Sequence, residues 1–407
     1  MSAINLVTYR RTHFGETNPS WSDKDRAKKV LTLFGTRPEA VKLAPIIRRL
    51  ESCDDIQTLN ITSAQHTDLL YPFLELLRIR VDYNLQVMEP NQTLNGTTAR
   101  ILASLDAAID RERPDLVLVQ GDTTTAFAGA LAAFHRGIPV GHVEAGLRSG
   151  NPGSPFPEET NRRLVTRLAT YHFAPTPRNR ETLLAEGIDW RNIFVTGNTV
   201  VDSLNAILEN STSTPRVQEL LAETEGLQRI VLTAHRRESF GREMLENFEV
   251  LRRFVAEHKD VALIFPVHPN PAVVRTAQQV FRGQTRIRLI KPLGYADFIK
   301  LLSNAWLIVS DSGGIQEEAP SLGKPLLILR ENTERPEVLE SGIARLVGGC
   351  PRRLAAMLDE AHAPESWVDR VKKVKNPFGK GDSGERITRI IERLFKAKPE
   401  AGSRKVG

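Results

Sequence analysis

Short apolar runs alternate with longer segments of helical period along most of the chain. The β-rich runs are "VLTLF" (30–34), "TLNIT" (58–62), "LVLVQ" (116–120), "IPVGHV" (138–143), "YHFA" (171–174) and "IFVT" (193–196). Between them lie segments such as "EAVKLAPIIRRLES" and "TTTAFAGALAAFHRG", whose apolar positions recur every three or four residues. Strands that alternate with helices predict a parallel sheet covered on both faces. A Ser/Thr/Pro-rich stretch, "NSTSTPRVQ" (210–218), reads as a linker. The alternation then resumes with "RIVLTA" (229–234), "VALIFPV" (261–267), "RIRLI" (286–290), "WLIVS" (306–310) and "PLLIL" (325–329).

This pattern predicts two doubly wound α/β domains, residues 28–205 and 206–380. A last amphipathic helix, 381–397, is expected to pack back on the first domain, followed by a tail, 398–407. Residues 1–27 are polar and without period, and read as a mobile extension. In doubly wound sheets, ligands bind beyond the carboxyl ends of the strands, and two such domains predict a cleft between them.

Composition narrows the class. The chain has 407 residues, 41% hydrophobic and 26% charged, which is ordinary for a globular protein. It contains no apolar run of membrane-spanning length and no signal-peptide core near its start. Two cysteines, Cys53 and Cys350, have no metal-ligand spacing, so a reducing cytoplasm is expected. The formal charge of +6 suits acidic partners. Its cations are scattered as pairs (Arg48-Arg49, Arg162-Arg163, Arg236-Arg237, Arg252-Arg253), mostly on what read as solvated helix faces. Without a basic stripe or many aromatics, small anions are better candidates than nucleic acid.

The candidate chemistry sits at strand ends. In "LTLFGTRPEAVKLAP" a strand meets Gly35 and then a helix, with Arg37 and Lys42 near the helix start. That arrangement suits a phosphate or a developing negative charge, and equally a plain tight turn with exposed cations. In "SDSGGIQEEAP", Ser312 is placed as a helix N-cap, and Gly313 and Gly314 allow close approach of a diphosphate to backbone N–H groups. Glu318 then shares a face with Gly314, one turn on, where a carboxylate would accept two hydrogen bonds from a ribose diol. Glu317 is turned about 100° away and has no assigned task.

Three acids follow strand ends in the first domain: Asp122 in "QGDTTT", Glu144 in "GHVEAG" and Glu158 in "PFPEETNRR". Converging acids suit proton transfer at carbon. For Asp122 the alternative is an N-cap, and for Glu158 and Glu159 a helix-start charge pair. Glu144 has no comparable alternative. His235, in "VLTAHRRESFG", is placed to meet an anionic leaving group. His268, hemmed by prolines, reads as structural. No dinucleotide fingerprint, P-loop, nucleophile elbow or zinc spacing occurs.

The segments "FGTRPEAVKLAP", "QGDTTT", "GHVEAGLRSG", "PFPEETNRR", "VTGNTVVD", "AHRRESFG", "SDSGGIQEEAPSLGKP" and "TERPE" together resemble the non-hydrolysing UDP-N-acetylglucosamine 2-epimerase family. The resemblance runs from about Lys28 to the last helix. It implies a GT-B-like fold, with two Rossmann-like domains and the active site in the cleft between them. The implied reaction interconverts UDP-N-acetylglucosamine and UDP-N-acetylmannosamine through 2-acetamidoglucal, with no NAD or metal, and supplies N-acetylmannosamine units for cell-surface polysaccharide.

By the same resemblance, Asp122, Glu144 and Glu158 are the catalytic acids and His235 assists the leaving diphosphate. Arg37 and Lys42 belong to the first-domain ligand site. Ser312, Gly313 and Gly314 hold the phosphates, Glu318 the ribose, Phe298 lies beside the uracil and Arg335 touches the nucleotide. A homodimer is implied. Many bacterial members bind a second substrate molecule as activator near "AQHRE". Here the chain reads "SAQHTDLL", so Gln65 and His66 remain while the Arg-Glu pair does not. A hydrolysing 2-epimerase, a GT-B glycosyltransferase and a nucleotide-sugar sensor stay open as alternatives.

Overall fold

The computed structural model describes residues 7–8, 27–64, 67–89, 92–235 and 241–397. The chain divides into two compact units, Met1–Ser203 with Gly381–Gly407, and Leu204–Lys380. Gln65, His66, Arg236 and Arg237 lie outside the described residues.

In the first unit the strands are β1 (Val7–Thr8), β2 (Lys28–Phe34), β3 (Ile56–Thr62), β4 (Tyr83–Asn84), β5 (Leu116–Gln120), β6 (Val140–Val143), β7 (Tyr171–Ala174) and β8 (Ile193–Val195). They form one sheet in the order β1-β4-β3-β2-β5-β6-β7-β8. All pairings are parallel except β1 with β4. The order reverses between β2 and β5, which is the topological switch point where such sheets place ligands.

The second unit's sheet contains β9 (Gln228–Thr233), β10 (Val261–Pro266), β11 (Ile287–Ile290), β12 (Leu307–Ser310), β13 (Leu326–Ile328) and β14 (Ala344–Leu346). Its order is β11-β10-β9-β12-β13-β14, parallel throughout, with its own switch point between β9 and β12.

Strands buried on both faces explain the apolar runs in the sequence. In β2, Leu31 and Leu33 pack with Ile101, Leu105 and Ala126 on one face. Val30 and Phe34, also fully buried, alternate to the other. The helix Thr124–His135 lies close on the sheet because of Gly129. A Cβ there would stand 2.4 Å from Leu33 Cδ2. The last helix, Ser383–Lys396, packs on Arg37–Glu51. Asp202 accepts hydrogen bonds from the N–H groups of Ser383 (3.2 Å) and Gly384 (2.9 Å), holding that helix start in place. A Cβ on Gly384 would come within 2.8 Å of Pro45 Cβ.

Four elements depart from the sequence expectations. Val7–Thr8, inside the stretch expected to carry no element, pairs as β1 with β4 and forms that edge of the sheet. Main-chain pairing at an edge needs no hydrophobic pattern. β4 and β14 are two and three residues long, too short to show a period. The expected linker 210–218 is helical from Pro215. Thr214 precedes that proline, and its N–H and hydroxyl donate to Asp297 at 2.9 and 2.7 Å. Proline in a helix's first turn sacrifices no hydrogen bond.

His142 on β6 and His172 on the neighbouring β7 face one another in register and are buried. His142 Nε2 donates to the Gly121 carbonyl at 2.8 Å. Burial pushes His142 down to about 3 and His172 down to about 4. Both folded values lie below the ordinary value near 6.5, so the unfolded chain binds more protons in between. Stability is therefore expected to fall as pH drops below about 6.5, by up to about 1.4 kcal/mol per pH unit for each histidine. Urea denaturation at pH 6, 5 and 4 checks this. His142→Asn is expected to flatten the slope by about one histidine's share, and an unchanged slope contradicts the account.

Candidate active site

In the first unit the site begins with Glu39. The turn Gly35–Thr36 leads from β2 into the helix Arg37–Glu51, and Glu39 sits in that helix's first turn, 1% exposed. Its Oε2 accepts from the N–H of Gly35 (3.0 Å), the N–H of Thr36 (2.7 Å) and the Thr36 hydroxyl (2.8 Å). Its Oε1 accepts from the Thr123 hydroxyl at 2.6 Å, which ties the turn after β2 to the turn after β5. Burial pushes the Glu39 carboxyl up, and these donors oppose the shift. The arrangement presents Lys42 and Arg37 from the same helix. Arg37 lies over the Phe73 ring, 5.0 Å from its centroid.

Asp122 lies two residues beyond β5 and Glu144 one residue beyond β6, on neighbouring strands. Asp122 does not cap the next helix, because Thr123 does, accepting from Ala126 N–H at 3.0 Å. Asp122 is held instead by the helix Glu158–Leu168. Arg162 donates to its carboxylate, through Nε at 3.2 Å and through a closer terminal nitrogen. Asn161 donates to its carbonyl at 2.9 Å. Arg162 is thus a buried site residue, not part of a solvated face. Glu159, fully buried, fixes Arg162 (2.9 Å), Arg163 (2.9 Å) and the Ser149 N–H (2.9 Å). Of the two adjacent acids, Glu159 builds the scaffold. Glu158, at the helix's first position, is half-buried.

Glu144 has φ +67°, the left-handed region that non-glycine residues seldom occupy. Its carboxylate is paired directly with Lys42 and accepts from Asn198 Nδ2 at 3.3 Å. The pair is nearly buried, with side chains 9% and 7% exposed. A strained backbone that delivers a buried acid to a lysine at a strand's carboxyl end is a common form of stored functional strain.

In the second unit, Asp311 follows β12 and His235 lies two residues beyond the adjacent β9. Asp311 is 1% exposed. Its Oδ2 accepts from the His235 N–H at 2.8 Å, and its Oδ1 lies 2.7 Å from His235 Nδ1. His235 is therefore oriented by a buried carboxylate, leaving its Nε2 edge for another group. His268, which reads as structural in the sequence, is exposed and 6.0 Å from His235 between ring centroids. Its Nδ1 accepts from the Asn270 N–H at 3.2 Å. Burial, then the neighbouring His235, lowers its pKa.

The turn "SDSGG" differs from expectation at Ser312, which does not cap a helix. The helix is Ile315–Ser321, with Gly314 at its start already in helical geometry. Among the described residues, the N–H groups of Gly313 and Gly314 have no hydrogen-bond acceptor. A Cβ on Gly314 would meet nothing closer than Ser312 Oγ at 3.9 Å, and its φ is −64°. Neither packing nor conformation demands glycine there.

The adjacent glutamates have separate tasks. Glu318 accepts from the Tyr295 hydroxyl at 2.8 Å, linking it to the helix Tyr295–Ser303 that carries the half-buried Phe298. Glu317, 1% exposed, accepts from Arg335 Nε at 2.5 Å. Arg335 is further held by Glu334 (3.4 Å), which pairs with Arg330 at 3.0 Å. Burial alone would raise the Glu334 carboxyl, but Arg335 and Arg330 outweigh it and hold it at about 2.

Two Rossmann-like sheets, parallel apart from the β1–β4 pair, define a GT-B-like α/β protein. The sequence model of the family described as UDP-N-acetylglucosamine 2-epimerase matches residues 48–392. A UDP-N-acetylglucosamine 2-epimerase of Salmonella typhimurium is 44% identical over 369 residues, covering 89% of this chain and 98% of that protein. One from Bacillus subtilis is 43% identical over 367 residues, covering 90% and 95%. The crystal structure of the Neisseria meningitidis UDP-GlcNAc 2-epimerase bound to UDP-GlcNAc superposes with TM-score 0.82 at 40% identity, covering 91% of this chain and all of that one. This chain belongs to the UDP-N-acetylglucosamine 2-epimerase family. No helix among the described residues is long and apolar enough to cross a membrane.

Removing Glu317 would take from Arg335's nearly buried guanidinium its shorter carboxylate contact, 2.5 Å, and leave it the 3.4 Å contact with Glu334. Glu317→Ala is expected to lower the unfolding free energy by about 3–5 kcal/mol. Glu317→Gln, which keeps an acceptor but not the charge, should cost about 1.5–3 kcal/mol. Urea denaturation measures both, and a Glu317→Ala protein as stable as the wild type would contradict this role.

Proposed function

We propose that this epimerase is of the non-hydrolysing type and interconverts UDP-N-acetylglucosamine and UDP-N-acetylmannosamine. The reading rests chiefly on one observation. Asp122 and Glu144 stand just past the neighbouring strands β5 and β6, beside the switch point, each fixed by a cation, Arg162 and Lys42 respectively. Carboxylates fixed in this way can exchange a proton with carbon without first reorganising.

In the proposed reaction a carboxylate takes the C2 proton. The C2–H electron pair becomes the C1–C2 double bond, and the C1–O bond breaks with its pair leaving on UDP. The bound 2-acetamidoglucal then takes UDP back at C1, while C2 receives a proton on its opposite face. Two faces need two proton-exchanging groups, and Asp122, Glu144 and Glu158 supply candidates. His235, oriented by Asp311, is proposed to donate toward the departing diphosphate.

The second unit carries groups for the nucleotide. The Gly313 and Gly314 N–H groups suit the diphosphate, with Ser312 beside them. Glu318 suits the ribose diol, Phe298 the uracil face, and Arg335, held by Glu317 and Glu334, the nucleotide's negative charge. Arg37 and Lys42 are proposed as cations of the sugar-side site.

Incubation with UDP-N-acetylglucosamine in deuterium oxide, followed by NMR, tests the proposal. The manno epimer with deuterium at C2 and little free sugar is expected. Free N-acetylmannosamine as the main product would identify the hydrolysing type instead. Asp122→Asn and Glu144→Gln are expected to slow C2 exchange by about 10²–10⁴-fold while UDP binding survives. Wild-type exchange in both variants would remove these residues from the reaction.

A further inference from the structure

The second unit holds a cluster of metal-ligating side chains away from the loops described above. His258, Asp260 and His362 each offer one ligand atom, and these atoms all lie within 4.8 Å of one another. His362 Nε2 is 3.0 Å from Asp260 Oδ2. The two imidazole rings are 4.2 Å apart between centroids. We propose that His258, Asp260 and His362 form a binding site for a divalent transition-metal ion of zinc type.

The donor set fits such an ion. Two imidazoles and one carboxylate suit Zn²⁺, whereas magnesium and calcium favour oxygen ligands throughout. Tetrahedral Zn²⁺ with bonds of about 2.0–2.1 Å separates its ligand atoms by roughly 3.3 Å. The 3.0 Å contact is close to that spacing. The widest separation, at most 4.8 Å, needs a contraction of no more than about 1.5 Å, which rotation of the exposed Asp260 side chain and small ring shifts can provide.

The backbone adds two helix ends of the right sign. His258 caps the C-terminus of the helix Arg242–Glu257, and His362 is the last residue of Pro351–His362. The exposed carbonyls of a helix C-terminus favour a cation. Arg286 serves main-chain carbonyls at the same place, donating to those of His258 and Val261, and not to the imidazoles.

The rings are also oriented in advance. Phe254 packs 4.4 Å from the His258 ring and meets the His362 ring edge-on at 5.9 Å. Trp306 meets His362 edge-on at 6.1 Å. Packing of this kind keeps ligands from needing to reorganise when a metal binds.

Its place in the fold assigns the site a structural role. Asp260 immediately precedes β10, so the cluster lies at the amino edge of the sheet. His235 and Asp311 follow β9 and β12, at the carboxyl edge. A bound ion would staple two helix ends to the start of a central strand.

Titration of the tag-free full-length chain with Zn²⁺, by calorimetry and by melting temperature, tests the site. One equivalent is expected to bind and to raise the melting temperature, while Mg²⁺ does neither. Co²⁺ is expected to give the visible d–d bands of a low-coordinate site. The His258→Gln/His362→Gln protein should lose that equivalent, the bands and the thermal shift. Asp260→Asn, at an exposed position where folding is not at risk, should weaken binding at least tenfold. Absence of Zn²⁺ binding in the wild type, or binding unchanged in both variants, would overturn the proposal.

Discussion

The buried carboxylate of Glu39 is the constraint on which the first unit's site depends. A carboxylate taken out of water costs several kcal/mol unless its lone pairs are satisfied. Here donors from Gly35, Thr36 and Thr123 satisfy them. Because those donors come from the turns after β2 and β5, satisfying the charge also locks two loops across the switch point. Lys42 rides on the same helix, and its contact with Glu144 extends the lock to the turn after β6. Asp122, next to Thr123, is then clasped by Arg162 and Asn161. A network of this kind holds its members as a unit, so the loss of one acceptor leaves several donors stranded.

The second unit solves the same problem with Asp311. One nearly inaccessible carboxylate meets both the backbone and the ring of His235. The ring is thereby fixed by the protein itself. Glu317 does for Arg335 what Asp311 does for His235. In the second unit, His235 and Arg335, both proposed to meet the ligand, are each held by a neighbouring buried acid. This separation of tasks explains why acids are so dense in the motifs, and why neighbouring acids such as Glu158 and Glu159, or Glu317 and Glu318, are not interchangeable.

The fold was largely legible in the sequence, because strands buried on both faces write themselves as continuous apolar runs. Each of the eleven runs read as strands is one. The strands missed, β1, β4 and β14, are short edge pairings in which backbone hydrogen bonds act without a side-chain pattern. Motifs located the ligand-facing candidates, since those lie at strand ends where a local pattern marks them. The supporting residues were not legible. Arg162 looked like one of several surface arginine pairs, and only the fold buries it against Asp122 and Glu159. Tyr295 gave no signal, because its partner Glu318 is 23 residues away. Capping illustrates the same limit on a smaller scale. Asp122 and Ser312 have cap-type side chains, yet the N-cap positions fall at Thr123 and Gly314, and one or two residues of register decide the role.

The two edges of the second sheet then follow different rules. At the carboxyl edge, N–H groups and oriented cations converge, as the parallel arrangement requires, and suit anions. At the amino edge the helices end, and their carbonyls create the opposite field. His258, Asp260 and His362 collect at that edge, where positive charge is favoured. The same direction of the strands that favours anions at one end therefore favours cations at the other. A metal there would need no share in the chemistry to be retained. It would stiffen the start of β10 against the helices that flank it, and β10 lies beside β9, whose far end positions His235.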